Sequence, residues 1–317
     1  MSEQPELPEL SLPAVEDSEV AKDHPVAKYR SASNAHQADK YAQLDFFAAD
    51  FYDVSVKDDR HTMEHPFFSL KTQKDTAIRH YTHKGIEITV TPSVAGIATI
   101  WDKDLLIFAT SQLVEGINRQ RGDIRNRKVR FSAYSYLLAT GKQTGGKDYA
   151  AILKSLSRLK GTVIETNIQV GGKILRKGFG LIEDWETVED ANGSGMGSIE
   201  ITLSAWLFEA VQALEVLTIN RAYFKIRGGV EKRLYEIARK HCGRQATWSI
   251  GEEELFKKTG STGSIRDFRR ILREVVKTDS LPDYRVRYDE NLRKVTFYTK
   301  NMKALGMEAL EKIVAAA

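Results

Sequence analysis

The chain repeats itself. Displaced by 119 residues, "VRFSAYSYLLATGKQTGGKDYAAILKSLSRLK" (129–160) falls without a gap over the stretch that begins at Trp248. Thr140-Gly141 meets Thr259-Gly260, Asp148-Tyr149 meets Asp267-Phe268, and Ile152-Leu153 meets Ile271-Leu272. Lys154 meets Arg273, and Arg158 meets Lys277. Identity is modest, but aromatic, aliphatic and basic positions agree throughout. Self-similarity at a fixed period marks one supersecondary unit used twice. Two units of this size explain 317 residues better than one large α/β domain, and the length suffices for a core in each.

The second copy reads as a helix ended by glycine, "VEKRLYEIARKHCG" (230–243), then a short strand, "ATWSI" (246–250), two helices, and the strand–turn–strand "DYRVRYDENLRKVTFYTK" (283–300). The first copy reads as a buried helix over 102–117 with Asp102 as N-cap, then the repeated segment, then a hairpin over 162–182 with a Gly-Gly turn. Helix, short strand, helix, turn, helix, hairpin is the order of a winged helix-turn-helix, whose third helix lies in a DNA groove. The fold class expected is α+β, with two tandem winged-helix domains at 61–189 and 199–300. The glycine-rich "DANGSGMGS" (190–198) is expected to link them. Residues 1–60 read as a disordered acidic tail, with order beginning near Met63, "GIEITV" (85–90) as a strand, and 301–317 as a C-terminal helix or tail.

The helix over 264–278 carries four arginines and a lysine. Ser264 and Asp267 form a capping box at its start. At about 100° per residue, Ile265, Phe268, Ile271, Leu272, Val275 and Val276 share one face. Arg266, Arg270, Arg273 and Lys277 share another, with Arg269 at its edge. A merely solvated face mixes signs to form i,i+4 pairs; this one segregates them. Arg266, Arg269 and Arg270 are expected at base edges, because a guanidinium fork matches guanine O6 and N7. Arg273 and Lys277 are expected at phosphates. The first-copy helix offers Lys147, Lys154, Arg158 and Lys160 to phosphates, with alanines where the second copy has Arg269 and Arg270. A basic insertion unique to the first copy adds Arg119, Arg121, Arg125, Arg127 and Lys128, followed by Arg130. Arg293 and Lys294 stand at the second hairpin tip.

Charge is distributed to match. Residues 1–60 hold 13 acidic and 6 basic side chains, and the remainder holds 41 basic and 30 acidic. An acidic segment before a basic body suggests a polyanion as partner. There is no apolar run of membrane-spanning length and no signal-peptide pattern, so a cytoplasmic, DNA-associated protein without a membrane partner is expected. Cys242 is the only cysteine, which excludes an intrachain disulfide. "GKQTGGKD" (141–148) approaches a phosphate-binding loop, but Asp148 stands where a hydroxyl should hold Mg²⁺. His61, His65, His80 and His83 lack nearby cysteines and read as ordinary exposed histidines rather than a zinc site. No catalytic constellation is present, so neither enzyme activity, metal nor cofactor is expected.

"MEHPFFSL" (63–70), "GFGLIEDW" (178–185) and "RLYEIARKHCG" (233–243) resemble signature stretches of the plasmid replication initiator protein A family, over roughly residues 61–300. Similar tandem winged helices occur in other initiators of iteron plasmids. The resemblance implies binding to short direct repeats at a plasmid origin, opening of an A·T-rich stretch and recruitment of host replication proteins. It also implies that the C-terminal unit dominates sequence reading, and that the first contributes to a homodimer. "QLDFF", Gln43, Leu44, Asp45, Phe46 and Phe47, resembles the pentapeptide that binds the bacterial sliding clamp, with Phe46 where leucine is usual. A winged-helix transcriptional repressor and, more remotely, a DNA-processing enzyme remain alternative readings.

Overall fold

The computed structural model describes residues 54–301 apart from 84, 120–126, 168, 171–172, 175, 190–195 and 244. In chain order, β1 (Lys57–Asp59) leads into α1 (Arg60–Glu64), and β2 (Arg79–His83) pairs with β3 (Ile86–Thr91). Next come α2 (Lys103–Asn118), β4 (Lys128–Ser132), α3 (Ala133–Ala139) and α4 (Gly146–Gly161). Then follow β5 (Val163–Thr166), β6 (Gln169–Val170), β7 (Lys173–Ile174), β8 (Lys177–Gly180), β9 (Ile182–Glu189), β10 (Met196–Leu203), α5 (Ala205–Gln212) and β11 (Val216–Thr218). After a 3-10 turn (Arg221–Lys225), the chain forms α6 (Gly229–Cys242), β12 (Thr247–Gly251), α7 (Glu252–Thr259), α8 (Ile265–Thr278), β13 (Tyr284–Asp289) and β14 (Lys294–Thr299). This is a mixed α and β protein whose sheets are antiparallel.

The internal displacement holds element by element. β4 begins at 128 and β12 at 247, α3 at 133 and α7 at 252, α4 at 146 and α8 at 265. Each pair is separated by the 119 residues of the sequence match. The sheets correspond too, with orders β4-β10-β9 and β12-β14-β13. The hairpin expected at 162–182 is present, with β5 paired to β8, but the correspondence corrects its expected role as the counterpart of 283–300. In the second copy, β12 pairs with the hairpin strand β14. In the first, β4 pairs with β10, and β5 and β8 instead extend β2 and β3 into a separate sheet of order β2-β3-β5-β8. The β5–β8 segment is therefore an insertion, and β9–β10 is the counterpart hairpin.

The linker expected at 190–198 is corrected for the same reason. β9 and β10 pair with each other, from Met196 opposite Glu189 to Leu203 opposite Ile182. The intervening residues join two strands of one hairpin, so a boundary between 189 and 199 cuts through a sheet. Ile199, Ile201 and Leu203 are buried and hold β10 in place. The disordered tail expected over 1–60 is also too long. β1 pairs with β11, Val54 and Val56 are buried, and Asp58 and Asp59 lie in the core. Residues 1–53, with "QLDFF", and residues 302–317 lie outside the described residues.

A buried set of charges runs through the core between the halves. Lys103 on α2 contacts Asp58 at 2.8 Å and Glu236 on α6 at 2.9 Å. Arg233 reaches Glu236 at 2.9 Å and donates to the carbonyls of Met63 and Glu64 at 2.8 and 2.9 Å. Tyr223 donates to Glu236 at 2.6 Å. Asp104 accepts from Lys232 at 2.6 Å and from Lys142 at 2.8 Å. Buried charge is tolerated only when paired and hydrogen-bonded, and here every pair except Arg233–Glu236, both on α6, joins different segments. The set therefore specifies how β1, α1, α2 and α6 meet.

Candidate nucleic-acid interface

α8 forms where the sequence places it. Ser264 Oγ accepts from Asp267 N at 3.1 Å, which satisfies an orphan donor of the first turn. Phe268, Leu272 and Val275 are buried against the core. The opposite face carries Arg266, Arg270, Arg273 and Lys277, all exposed. Among the described residues Arg266, Arg270 and Lys277 form no ion pair and face solvent, although Asp267 in the first turn feels the charges of Arg270 and Arg266. Arg273 differs. Its Nε and Nη2 grip Glu290 at 2.9 and 2.8 Å, clasping the helix to the tip of the β13–β14 hairpin.

Arg269 is placed differently from its neighbour Arg270. Its Nε and Nη2 meet Glu252 Oε1 at 2.8 and 2.7 Å. The Glu252 side chain is fully buried. Burial would raise its carboxyl, but Arg269 and Tyr288 hold it below the usual range. Arg269 thus anchors α8 to α7. Arg293, at φ 49° in the hairpin turn, lies 3.6 Å from the same carboxylate, and Lys294 beside it is exposed.

The first copy presents fewer free cations. Lys147 and Lys154 on α4 are exposed without an ion pair among the described residues. Arg158 is bidentate to Asp102, at 2.7 and 2.6 Å. Asp102 heads α2, but its side chain makes no bond into that helix; it accepts from Thr99 N at 2.7 Å and clamps Arg158 instead. Lys160 pairs with Asp184 at 2.6 Å. In the basic insertion, Arg119 pairs with Glu115 at 2.6 Å and Arg127 with Glu183 at 3.0 Å. Lys128 and Arg130 share Glu200 across the strands, at 2.7 and 2.8 Å. Arg121 and Arg125 lie outside the described residues.

Two exposed arginines escape sequence reading. Arg285 and Arg287 point outward from β13, while Tyr284 and Val286 point inward. The signal is the alternation in "YRVRY", which reads equally as an ordinary amphipathic strand. The histidines are not uniformly exposed as expected. His61 is partly buried and contacts Glu215 at 2.7 Å, and His65 stacks on Phe67. Burial lowers the His65 ring to about 4. Among the described residues no group of His, Cys, Asp or Glu is placed to hold a metal ion, and no helix is long and apolar enough to cross a membrane.

Residues 57–286 match the model of the family described as replication initiator protein A. A protein of Wigglesworthia glossinidia brevipalpis named "Putative replication protein" is 41% identical over 258 residues, covering 80% of this chain and 92% of that one. A crystal structure of domains 2 and 3 of RctB superposes with a TM-score of 0.54 at 13% identity, covering 76% of this chain and 98% of that one. At that identity the likeness concerns the fold alone.

Proposed function

Because the chain belongs to the replication initiator protein A family, we propose that it is a plasmid replication initiator that holds repeated origin sites through two winged helices, α8 and α4 being their groove helices. The observation that carries this reading is α8. It lies between a capped turn and a β-hairpin, buries Phe268, Leu272 and Val275, and presents Arg266, Arg270 and Lys277 unpaired. Such a helix meets the width of a major groove, and arginine near its N-terminal end can pair with guanine O6 and N7. α4 has Lys147 and Lys154 free and offers charge without a fork, which suits phosphates. The protein acts without catalysis of its own. It assists opening of the duplex and brings host replication proteins to the origin, with "QLDFF" (43–47) as the segment for the sliding clamp.

Footprinting of the intact protein on the DNA flanking its own gene tests the reading. Protection of short direct repeats at regular spacing is the expected result. Permanganate reactivity in an adjacent A·T-rich stretch of a supercoiled plasmid separates an initiator from a repressor, which would protect the repeats without opening them. Uniform, sequence-independent protection would overturn the proposal.

A further inference from the structure

Between the two groove helices lies a short loop that no motif singles out. Ser69 and Asp75 are buried, whereas Lys71, Thr72, Gln73 and Lys74 between them are exposed. The base of the loop is firmly held. Ser69 N donates to Ala98 O at 2.9 Å, and Ser69 O accepts from Ile100 N at 2.9 Å. Ser69 Oγ donates to Asp75 Oδ2 at 2.7 Å, and Asp75 O accepts from Ile97 N at 2.8 Å. Arg79 also binds the Asp75 carboxylate. On its other side the loop meets the start of α6 at Gly229, where a Cβ would come within 2.7 Å of Leu70 O and 3.1 Å of Trp101 Cη2. Only a glycine permits that approach. Trp101 Nε1 completes the seam by donating to Arg227 O at 3.1 Å.

Thr72, Gln73 and Trp101 line two grooves at once. One continues along α4 past Lys74 and Lys154. The other continues past Lys71 and Arg227 to Arg270 on α8. Lys71, Lys74 and Arg227 are exposed and form no ion pair among the described residues. A run of unpaired cations on rigid backbone, joining two helices that each face DNA, has the charge of a phosphate track. We infer that the loop 71–74, with Arg227, grips the phosphate backbone of duplex DNA between the segments held by α4 and α8. This deepens the reading of the preceding subsection and rests on it.

The test is Lys71→Ala with Lys74→Ala in the intact chain, titrated by anisotropy against a footprinted repeat and a random duplex over a range of salt. Affinity should fall by the same factor on both duplexes, because phosphates carry no sequence. The log–log salt slope should drop by about 0.9 for each phosphate that the loop no longer neutralises. Thermal unfolding should be unchanged, and Lys71→Arg with Lys74→Arg should restore both affinity and slope. Parental affinity and slope in the alanine variant, in a protein where Arg270→Ala weakens binding, would overturn the loop while leaving the proposed function standing. Failure of the arginine variant to restore the slope would overturn it as well. Absence of any duplex binding by the parent chain would overturn both.

Discussion

Arg269 and Arg270 are neighbours with the same chemistry and opposite assignments. Arg270 is exposed and unpaired, and Arg269 turns inward to a buried carboxylate. Arg270→Ala should weaken the specific complex by about 1–3 kcal/mol, the cost of one bidentate base contact, and weaken random duplexes less. Equal losses on both, measured by anisotropy, would place Arg270 on phosphate only. Arg269→Ala should instead lower the unfolding midpoint, because Glu252 would remain buried without its principal partner. Arg233 belongs to the same class as Arg269. It is 2% exposed and joins α6 to the carbonyls of Met63 and Glu64. Arg233→Ala should destabilise by about 3–5 kcal/mol in urea denaturation, since it leaves Glu236 with Lys103 as its one remaining cation and strips the Met63 and Glu64 carbonyls of their donor. A loss within error of zero would mean that Lys103 and Tyr223 suffice for Glu236 and that water satisfies the freed carbonyls. "MEHPFFSL" and "RLYEIARKHCG" are legible as motifs, and Glu64, Arg233, Glu236 and Lys240 within them bond to one another and to the backbone of the body.

The helices of the repeat show how far a periodic pattern can be trusted. α8 buries Phe268, Leu272 and Val275. α4 buries Ile152, Leu156 and Leu159, so only Leu156 and Val275 coincide under the 119-residue displacement. Tyr149 and Leu153, the equivalents of Phe268 and Leu272, still pack on the core but are only partly buried, and α4 also packs on β8, part of the β5–β8 insertion that has no equivalent beside α8. The connection from α7 to α8 is more constrained. Gly260 ends α7 at φ 70°, and a Cβ there would lie 2.4 Å from Pro66 Cβ. Both the left-handed backbone and the close approach exclude a side chain. Gly260→Ala should destabilise by about 1–3 kcal/mol through strain and overpacking. It should also weaken DNA binding, because the turn aims α8. Unchanged urea midpoint and affinity would show that Pro66 and the turn relax freely.

Across the molecule, the buried charges couple stability to pH. Burial pushes the Asp58 carboxyl up to about 7; Glu236 adds to the rise and Lys103 opposes it. A carboxyl raised on folding binds its proton more tightly in the native state. Its contribution is full below about 4, the unfolded value, and is lost as pH rises through 7. His65 has the opposite sign. Burial holds it near 4, so its contribution is present above about 6.5 and is lost as pH falls toward 4. Asp58→Asn should remove the decline alone. The stability of the parent relative to the variant should then fall between pH 4 and 7, measured by urea denaturation across that range. A difference that does not change with pH would mean that Asp58 titrates as an ordinary carboxyl.

What the amino-acid sequence determined by itself was local or periodic. The 119-residue displacement, the Ser264 cap, the glycine end of α6 and the segregated cations of α8 each depend on neighbours along the chain, and each is present in the structure. Only the tertiary structure decided which strands pair and which cations stay free. A hairpin in the sequence looks the same whether it joins β4 or β3, so the β5–β8 insertion passes for the counterpart of β13–β14. A basic stripe looks the same whether or not a carboxylate from a distant segment faces it. Glu252, Asp102 and Glu200 engage Arg269, Arg158 and Arg130 because the fold carries them there. Loop 71–74 is invisible in the sequence for the converse reason: its place between α4 and α8 comes from Ala98, Ile97 and Gly229, all remote from it along the chain.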